Sequence, residues 1–392
     1  TYTDENGVLK YASNNTPRFD HDFRTGECLG LLIEESRTNL FTYSEDFSNA
    51  AWSKSGATIT ANSTTAPDGT TTADKLVENS ANTSHHIYEQ YGNGSNPNTI
   101  YSYTVFVKAA ERTYCTVQLY GNSQRLGIAI NLSTGAIVQT DTSNTTLSSS
   151  SVIPFANGWY KVTLIGSGNT NNTYGLNIAG VSLWDGVGNT IWQDGKSYQG
   201  NGTSGIFVWG AQLEQASFAT SYIPTSGSTV TRAVDTATIK GTNFSSWFSK
   251  NKGTVYSQFK NIRFGAGMYY FGPGSSPRWY SRYELTNGVS TQAWDGSGGS
   301  GLVNITVPGV SNNETIADLK HVLSIDNISQ QHVGSANGSD VVTGTWDDIS
   351  NVSTLTLGRR VDTNSYLNGH ISCFKYYPER LPNAQLQGLT QQ

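Results

Sequence analysis

The sequence predicts an all-β protein made of two jelly-roll or β-sandwich modules in tandem, preceded by an irregular N-terminal segment. Three observations carry this. Aromatic residues reach 11%, with 21 Tyr and 9 Trp, against only 14% charged residues, so a large core can be buried under a weakly charged surface. Short alternating runs recur along the chain, bounded by Gly, Asn and Ser. Helical periodicity is nearly absent, and 392 residues suit two or three domains rather than one.

Residues 1–40 read as an irregular lead-in. Within the first module, 41–235, "TIYSYTVFVKA" (99–109) turns Tyr101, Tyr103, Val105 and Val107 one way and Ser102, Thr104 and Phe106 the other. "TYCTVQLYG" (113–121) puts Cys115, Val117 and Leu119 on one face. "GIAINLSTGAIVQT" (127–140) reads as a hairpin whose turn needs a positive φ at Gly135. "GWYKVTLIG" (158–166) and "GIFVWGAQLE" (205–214) complete the set.

The Ser/Thr/Gly-rich stretch 221–241, broken by Pro224, places a linker at 236–242. The second module, 243–392, then shows strand-like runs at 253–261, 268–272, 278–285, 320–326, 353–359 and 369–377. One short helix is expected in "PERLPNAQLQGLT" (378–390), with Leu381, Leu386 and Leu389 turned toward a sheet. No repeat of 20–50 residues appears.

The net charge is −5 and no Lys/Arg-rich run occurs, which argues against a nucleic-acid partner. No stretch nears 18 apolar residues, so no membrane span is expected. There is no signal-peptide pattern, and a start at Thr1 reads as a trimmed or processed chain. Cys28, Cys115 and Cys373 stand alone, so one disulfide at most is possible. Core filling is the expected use of Cys115 and Cys373, in a chain made in a reducing cytosol.

The densest charge lies in "RFDHDFRTGECLGLLIEESRTNL" (18–40). Asp20, His21, Asp22, Glu34 and Glu35 could form a metal or acid–base cluster, and Ca²⁺ is the metal such oxygens favour. Strand alternation separates Asp20 and Asp22 from His21, and Glu34 from Glu35. The favoured reading is a structural clasp in which Arg18, Arg24 and Arg37 neutralise the carboxylates and pin the segment against the jelly roll. No bound metal is expected, although a structural Ca²⁺ stays open.

Glycan contacts are expected in two aromatic loops. In "WDGVGNTIWQDGKSYQGNGTSG" (184–205) the candidates are Trp184, Trp192, Asp194 and Tyr198; in "PRWYSRYELTNGVSTQAWDGSGGSG" (277–301) they are Trp279, Tyr280 and Trp294. Sugar rings stack on such aromatics while Asp and Asn hold their hydroxyls. Capping of a sandwich end, core packing or a subunit interface is the competing use. No nucleophile elbow, zinc-protease helix or phosphate loop is present, so no catalytic residues are assigned.

Several blocks resemble a segment of bacteriophage and prophage virion proteins, usually tail-fibre or tail-associated ones: "NTPRFDHD", "LGLLIEE", "RTNL", "SEDFSNAAW", "ATITANSTTAPDGTTTADKLVE" and "GTSGIFVWGAQLEQASFATSYIPTSGSTVTRAVD". The pattern of 80–200 is similar to jelly-roll carbohydrate-binding modules. "GTVYSQF", "LTLGRR" and "LNGHISCFKYYPERLPNAQLQGLT" resemble laminin-G-like and concanavalin-like lectin sandwiches, with Pro382 where that family often caps its helix with Ser or Asp. The resemblance implies a non-enzymatic virion structural protein, assembled in the host cytoplasm. It implies a homotrimer that meets other virion proteins and host-surface glycans. A purely architectural role and a polysaccharide depolymerase are the alternatives.

Overall fold

The structure is a computed structural model. It describes residues 1–92, 96–168, 175–188, 196–263, 265–272, 278–284, 288–294, 301–307, 315–345, 352–360 and 365–391, without the side chains of 278, 282–284, 288, 291–294, 301–303 and 345. The chain divides into two compact units. One holds Thr1–Ser13, Asp22–Gly26 and Arg37–Arg232; the other holds Asn14–His21, Glu27–Ser36 and Ala233–Gln392.

The first unit is a sandwich of two six-stranded antiparallel sheets. One runs in the order Ala136–Asp141, Gln124–Asn131, Tyr114–Gly121, Ile178–Trp184, His86–Gln90, Ser53–Ser55. The other runs Thr145–Phe155, Trp159–Gly168, Tyr101–Ala109, Gly205–Glu214, Ala73–Glu78, Ala57–Thr64. Neighbours distant in sequence, such as Tyr101–Ala109 beside Gly205–Glu214, give the jelly-roll crossing. Alternation explains the core: Cys115, Val117 and Leu119 meet Tyr103, Val105 and Val107 between the sheets. Phe106, on the other face, joins Trp159, Trp209, Tyr222 and Leu9 in a smaller cluster. Gly135 has φ 74° and closes the Asn131–Ala136 turn as expected.

The second unit pairs a six-stranded sheet with a seven-stranded one. The six-stranded sheet runs Ala237–Lys240, Thr354–Leu357, Gly267–Phe271, Arg278–Glu284, Gly288–Trp294, Gly301–Thr306. The seven-stranded sheet runs Val342–Thr345, Gln331–Ala336, Ile316–Asp326, Lys252–Ile262, Gly369–Tyr377, Cys28–Ile33, Phe19–His21. Val255, Phe259, Tyr269, Phe271, Trp279 and Leu323 fill the space between them. The C-terminal helix Asn383–Gln391 lays Leu386, with Leu381 and Leu389, on the outer side of the seven-stranded sheet, against Tyr256, Val322 and Val333. Its first turn is closed by the Pro382 carbonyl, which accepts from the backbone N–H groups of Gln385 and Leu386.

Two boundaries differ from the expected ones. Residues 1–40 are no single irregular lead-in against the jelly roll. Phe19–His21 and Cys28–Ile33 form a hairpin that adds two strands beside Gly369–Tyr377. This pairing needs Gly30, at φ 110°, because a Cβ there would stand 2.2 Å from the Ile371 carbonyl oxygen. Residues 236–242 are no linker either. Ala237–Lys240 is a strand whose Ala237 and Ile239 pack on the core, and Thr242–Ser245 is a helical turn anchored by buried Phe244. Ser/Thr-rich composition hid a period-two pattern only four residues long.

All three cysteines are free thiols; Cys115 is buried and Cys28 exposed. Among the described residues no helix is long and apolar enough to cross a membrane.

Candidate functional site

In the first unit a cleft of about 670 Å³ opens beside the edge strand Ala57–Thr64 and its neighbour Ala73–Glu78. Its lining includes Tyr43, Glu45, Asp46, Asp74 and Thr225. This volume lies within the range that takes a small-molecule or short oligosaccharide ligand.

The walls are fixed by hydrogen bonds between remote parts of the chain. Asp74 accepts the backbone N–H of Phe47 (2.9 Å) through one oxygen and that of Asn62 (3.0 Å) through the other. Asn62, at φ 53°, sits where the register of the edge pair shifts. Asp46 closes a turn by accepting from the N–H groups of Ser48 (3.1 Å) and Asn49 (3.2 Å). Opposite, Ser44 and Thr225 exchange bonds: Ser44 N–H donates to the Thr225 carbonyl (3.2 Å), and Thr225 N–H donates to the Ser44 hydroxyl (2.8 Å). Glu45 accepts from the phenols of Tyr222 (2.9 Å) and Tyr11 (3.2 Å).

Burial pushes the Glu45 and Asp74 carboxyls above the usual carboxylate range. Nearby Asp68 adds to the effect at Glu45, and Asp46 adds to it at Asp74. The arrangement offers hydrogen-bond acceptors, hydroxyls and one half-buried aromatic ring. It is equipped for noncovalent binding of a hydroxyl-rich molecule. Among the described residues no group of three or more His, Cys, Asp or Glu is placed to hold a metal ion.

The glycan contacts expected from sequence lie elsewhere, and four of them cannot stack on a sugar. Trp184 is 3% exposed, donates its indole N–H to the Val187 carbonyl (3.2 Å) and meets Tyr114 edge-on. Tyr198 is buried, and its hydroxyl donates to Glu78 (2.7 Å). Trp279 lies in the second unit's core, stacked on Phe271 at 4.5 Å. Tyr280 is buried, with a parallel Tyr270 ring at 6.1 Å and the Arg360 guanidinium 4.2 Å from its centroid. A buried ring has no surface to offer a sugar. Trp192, Asp194 and the Trp294 side chain lie outside the described residues.

Tyr198 belongs instead to a network around buried Glu78, which also accepts two bonds from Arg112 (2.8 and 2.6 Å) and the N–H of Asn201 (2.9 Å). Those donors outweigh burial and hold the Glu78 carboxyl below its usual range. We expect Tyr198→Phe to destabilise the first unit by roughly 1–2 kcal/mol and to leave glycan affinity unchanged, as read by denaturant melts and calorimetry.

The clasp residues divide between the units. Arg18, 6% exposed, pairs with Glu34 (2.9 Å) and Asp235. Asp20 pairs with His370 (2.9 Å), and Glu35 accepts from the Asn368 side chain (3.0 Å). All of these belong to the second unit. In the first unit Asp22 accepts from the Arg24 guanidinium (3.0 Å) and from the N–H groups of Arg24 and Thr25 (2.8 and 3.2 Å). Arg37 lies over the Phe218 ring at 4.7 Å.

Sequence reasoning assigned no role to the cleft residues. Their signal was the polar run Ser44–Glu45–Asp46 and the Tyr222–Ser226 segment, two short blocks far apart in the sequence. The structure brings these blocks together as one hydrogen-bonded seam. Asn39 joins it, with its side chain donating to the carbonyls of Ala211 (3.1 Å) and Ile223 (2.9 Å).

No family model matches the chain, and no curated protein matches it. Solved structures with a similar arrangement include the NanB sialidase of Streptococcus pneumoniae, at 16% identity and a TM-score of 0.33 over 39% of this chain and 26% of that one. The chain thus spans about a quarter of that sialidase's length. The CBM40 module of Ruminococcus gnavus IT-sialidase, bound to α2,3-sialyllactose, gives 18% identity and a TM-score of 0.30 over 36% of this chain and 83% of that one. Mouse laminin α1 domains LG4-5 give 7% identity and a TM-score of 0.26 over 78% and 88%. Identities and scores this low carry no argument about function.

Proposed function

We propose that this chain is a non-enzymatic, glycan-binding structural protein of a phage-type virion appendage, and that its ligand seat is the cleft between Tyr43, Asp46, Asp74 and Thr225. One observation carries the reading: an open, hydroxyl- and carboxylate-lined cleft of about 670 Å³ on a β-sandwich. Residues of the blocks that resemble virion proteins line it. Binding is noncovalent, with sugar hydroxyls donating to Asp46 and Glu45 and a ring face resting near Tyr43. Single-site affinity is weak, and a homotrimer among other virion proteins multiplies it through avidity. No cofactor enters the account.

A second reading, architecture alone, is favoured by the burial of Trp184, Tyr198, Trp279 and Tyr280. A glycan array probed with the purified protein separates the two. The expected result is binding that is lost in Ser226→Trp, because Ser226 is exposed and lines the cleft, so a large ring there fills it without entering the core. Binding by neither protein on any host-surface extract leaves the architectural reading.

A further inference from the structure

We propose that Tyr11 is a stacking platform at the rim of the cleft, and that the ligand is a glycan chain that runs out of the cleft and lays the C–H face of one sugar on the Tyr11 ring. The inference rests on the reading that the cleft binds glycan, and adds a second contact and the class of ligand.

Tyr11 is 50% exposed, and among the described residues of the first unit it is the one aromatic ring so open to solvent. Its position is fixed from both ends. The backbone reaches it through the short strand Leu9–Lys10. Leu9 is buried in the smaller core cluster and donates its N–H to the Pro67 carbonyl (3.0 Å). At the far end of the side chain, the single phenolic hydrogen is shared between Glu45 (3.2 Å) and Asp68 (3.5 Å).

Those two partners hold the ring beside the cleft. Glu45 belongs to the lining itself. Asp68 accepts from the Thr70 N–H (2.9 Å) and hydroxyl (2.7 Å). The Thr70 and Thr72 hydroxyls lie 2.7 Å apart. Because Thr70 donates to Asp68, Thr72 donates to Thr70, while Thr72 Oγ1 accepts the Trp209 indole N–H (3.1 Å). Thr72 also lines the cleft. Tyr11 is therefore tied to the lining twice, directly at Glu45 and through Asp68 and Thr70 at Thr72.

A ring held in this way gives up little conformational freedom when a ligand covers it. A pyranose meets it with a patch of C–H groups, and an aromatic face favours such a patch. Asp68 and the exposed Thr70 stand beside the ring as polar neighbours for the sugar's hydroxyls.

The test uses the full chain, the tightest-binding array glycan and versions of it shortened one sugar at a time from each end. Calorimetry compares the natural protein with Tyr11→Phe, Tyr11→Ala and Ser226→Trp. Tyr11 is half exposed, so both of its variants should fold. The expected result is that Tyr11→Ala binds the whole glycan roughly tenfold more weakly, that Tyr11→Phe stays close to the natural affinity, and that the Tyr11→Ala penalty vanishes for one shortened glycan. Tyr11→Phe keeps the ring and removes only its bonds to Glu45 and Asp68. Equal losses in Tyr11→Phe and Tyr11→Ala would mean that Tyr11 only holds Glu45, and would overturn the platform. So would a Tyr11→Ala variant that binds normally, or a penalty equal at every glycan length. Ser226→Trp reports on the cleft separately: glycan binding that survives it, or no binding by the natural protein, would overturn the reading beneath.

Discussion

Arg18→Met should lower the stability of the second unit by roughly 3–5 kcal/mol. Arg18 is buried, and burial by itself works against its charge; Glu34 and Asp235 outweigh that and keep the guanidinium protonated. Glu34 is also buried, its side chain 8% exposed. Removing Arg18 takes from that buried carboxylate the guanidinium that stands 2.9 Å from it. The loss extends beyond one ion pair, because Asp235 accepts the Glu34 backbone N–H (2.8 Å) and donates its own N–H to the Glu34 carbonyl (3.0 Å). The same three residues thus tie the start of the seven-stranded sheet to the chain's return into the second unit. Arg18→Met combined with Glu34→Leu should recover part of the loss, since it removes the more deeply buried carboxylate and leaves Asp235, whose side chain is 27% exposed, as the one that loses Arg18. Denaturant unfolding with a probe in the second unit measures this. A single variant as stable as the natural protein would contradict it.

Glu89→Gln should stabilise the first unit at pH 8 by roughly 3 kcal/mol and flatten its pH profile. Glu89 sits on the core-facing side of His86–Gln90, beside Ile87. One carboxyl oxygen accepts from the Thr42 N–H (3.3 Å) and hydroxyl (3.2 Å); the other has no partner. Burial pushes its pKa up to about 7, and the Thr42 bonds only partly oppose this. The folded state therefore holds the proton more tightly than the unfolded chain does. Stability is highest below the unfolded value near 4.5 and falls as pH rises through about 7. Glutamine keeps an acceptor for Thr42 and carries no charge. Melting curves from pH 4 to pH 8 should slope downward for the natural protein and less steeply for the variant, which keeps only the smaller contributions of raised carboxyls such as Glu45 and Asp74. Parallel curves would show that Glu89 is not the group responsible.

What could be read from sequence followed one physical rule. Runs such as 99–109 and 113–121 alternate because each strand has one face on the core, and Tyr103, Val105, Cys115 and Val117 lie where that alternation puts them. The C-terminal helix was legible for the same reason, through Leu381, Leu386 and Leu389. Long-range pairing was not. Nothing local in Cys28–Ile33 says that its partner is Gly369–Tyr377. The aromatic loops misled because Tyr and Trp carry a polar handle that lets them be buried; Trp184 and Tyr198 each found a partner for it inside the fold. The cleft escaped notice because its polar groups come from Tyr43–Ser48, Ala61–Asn62, Thr72–Asp74 and Pro224–Ser226, four stretches that mean little until they meet.

The most direct test of the glycan seat is a structure of the protein with its tightest-binding array glycan. The account predicts a sugar in the cleft, donating to Asp46 or Glu45. A sugar bound elsewhere, with the cleft empty, would contradict it.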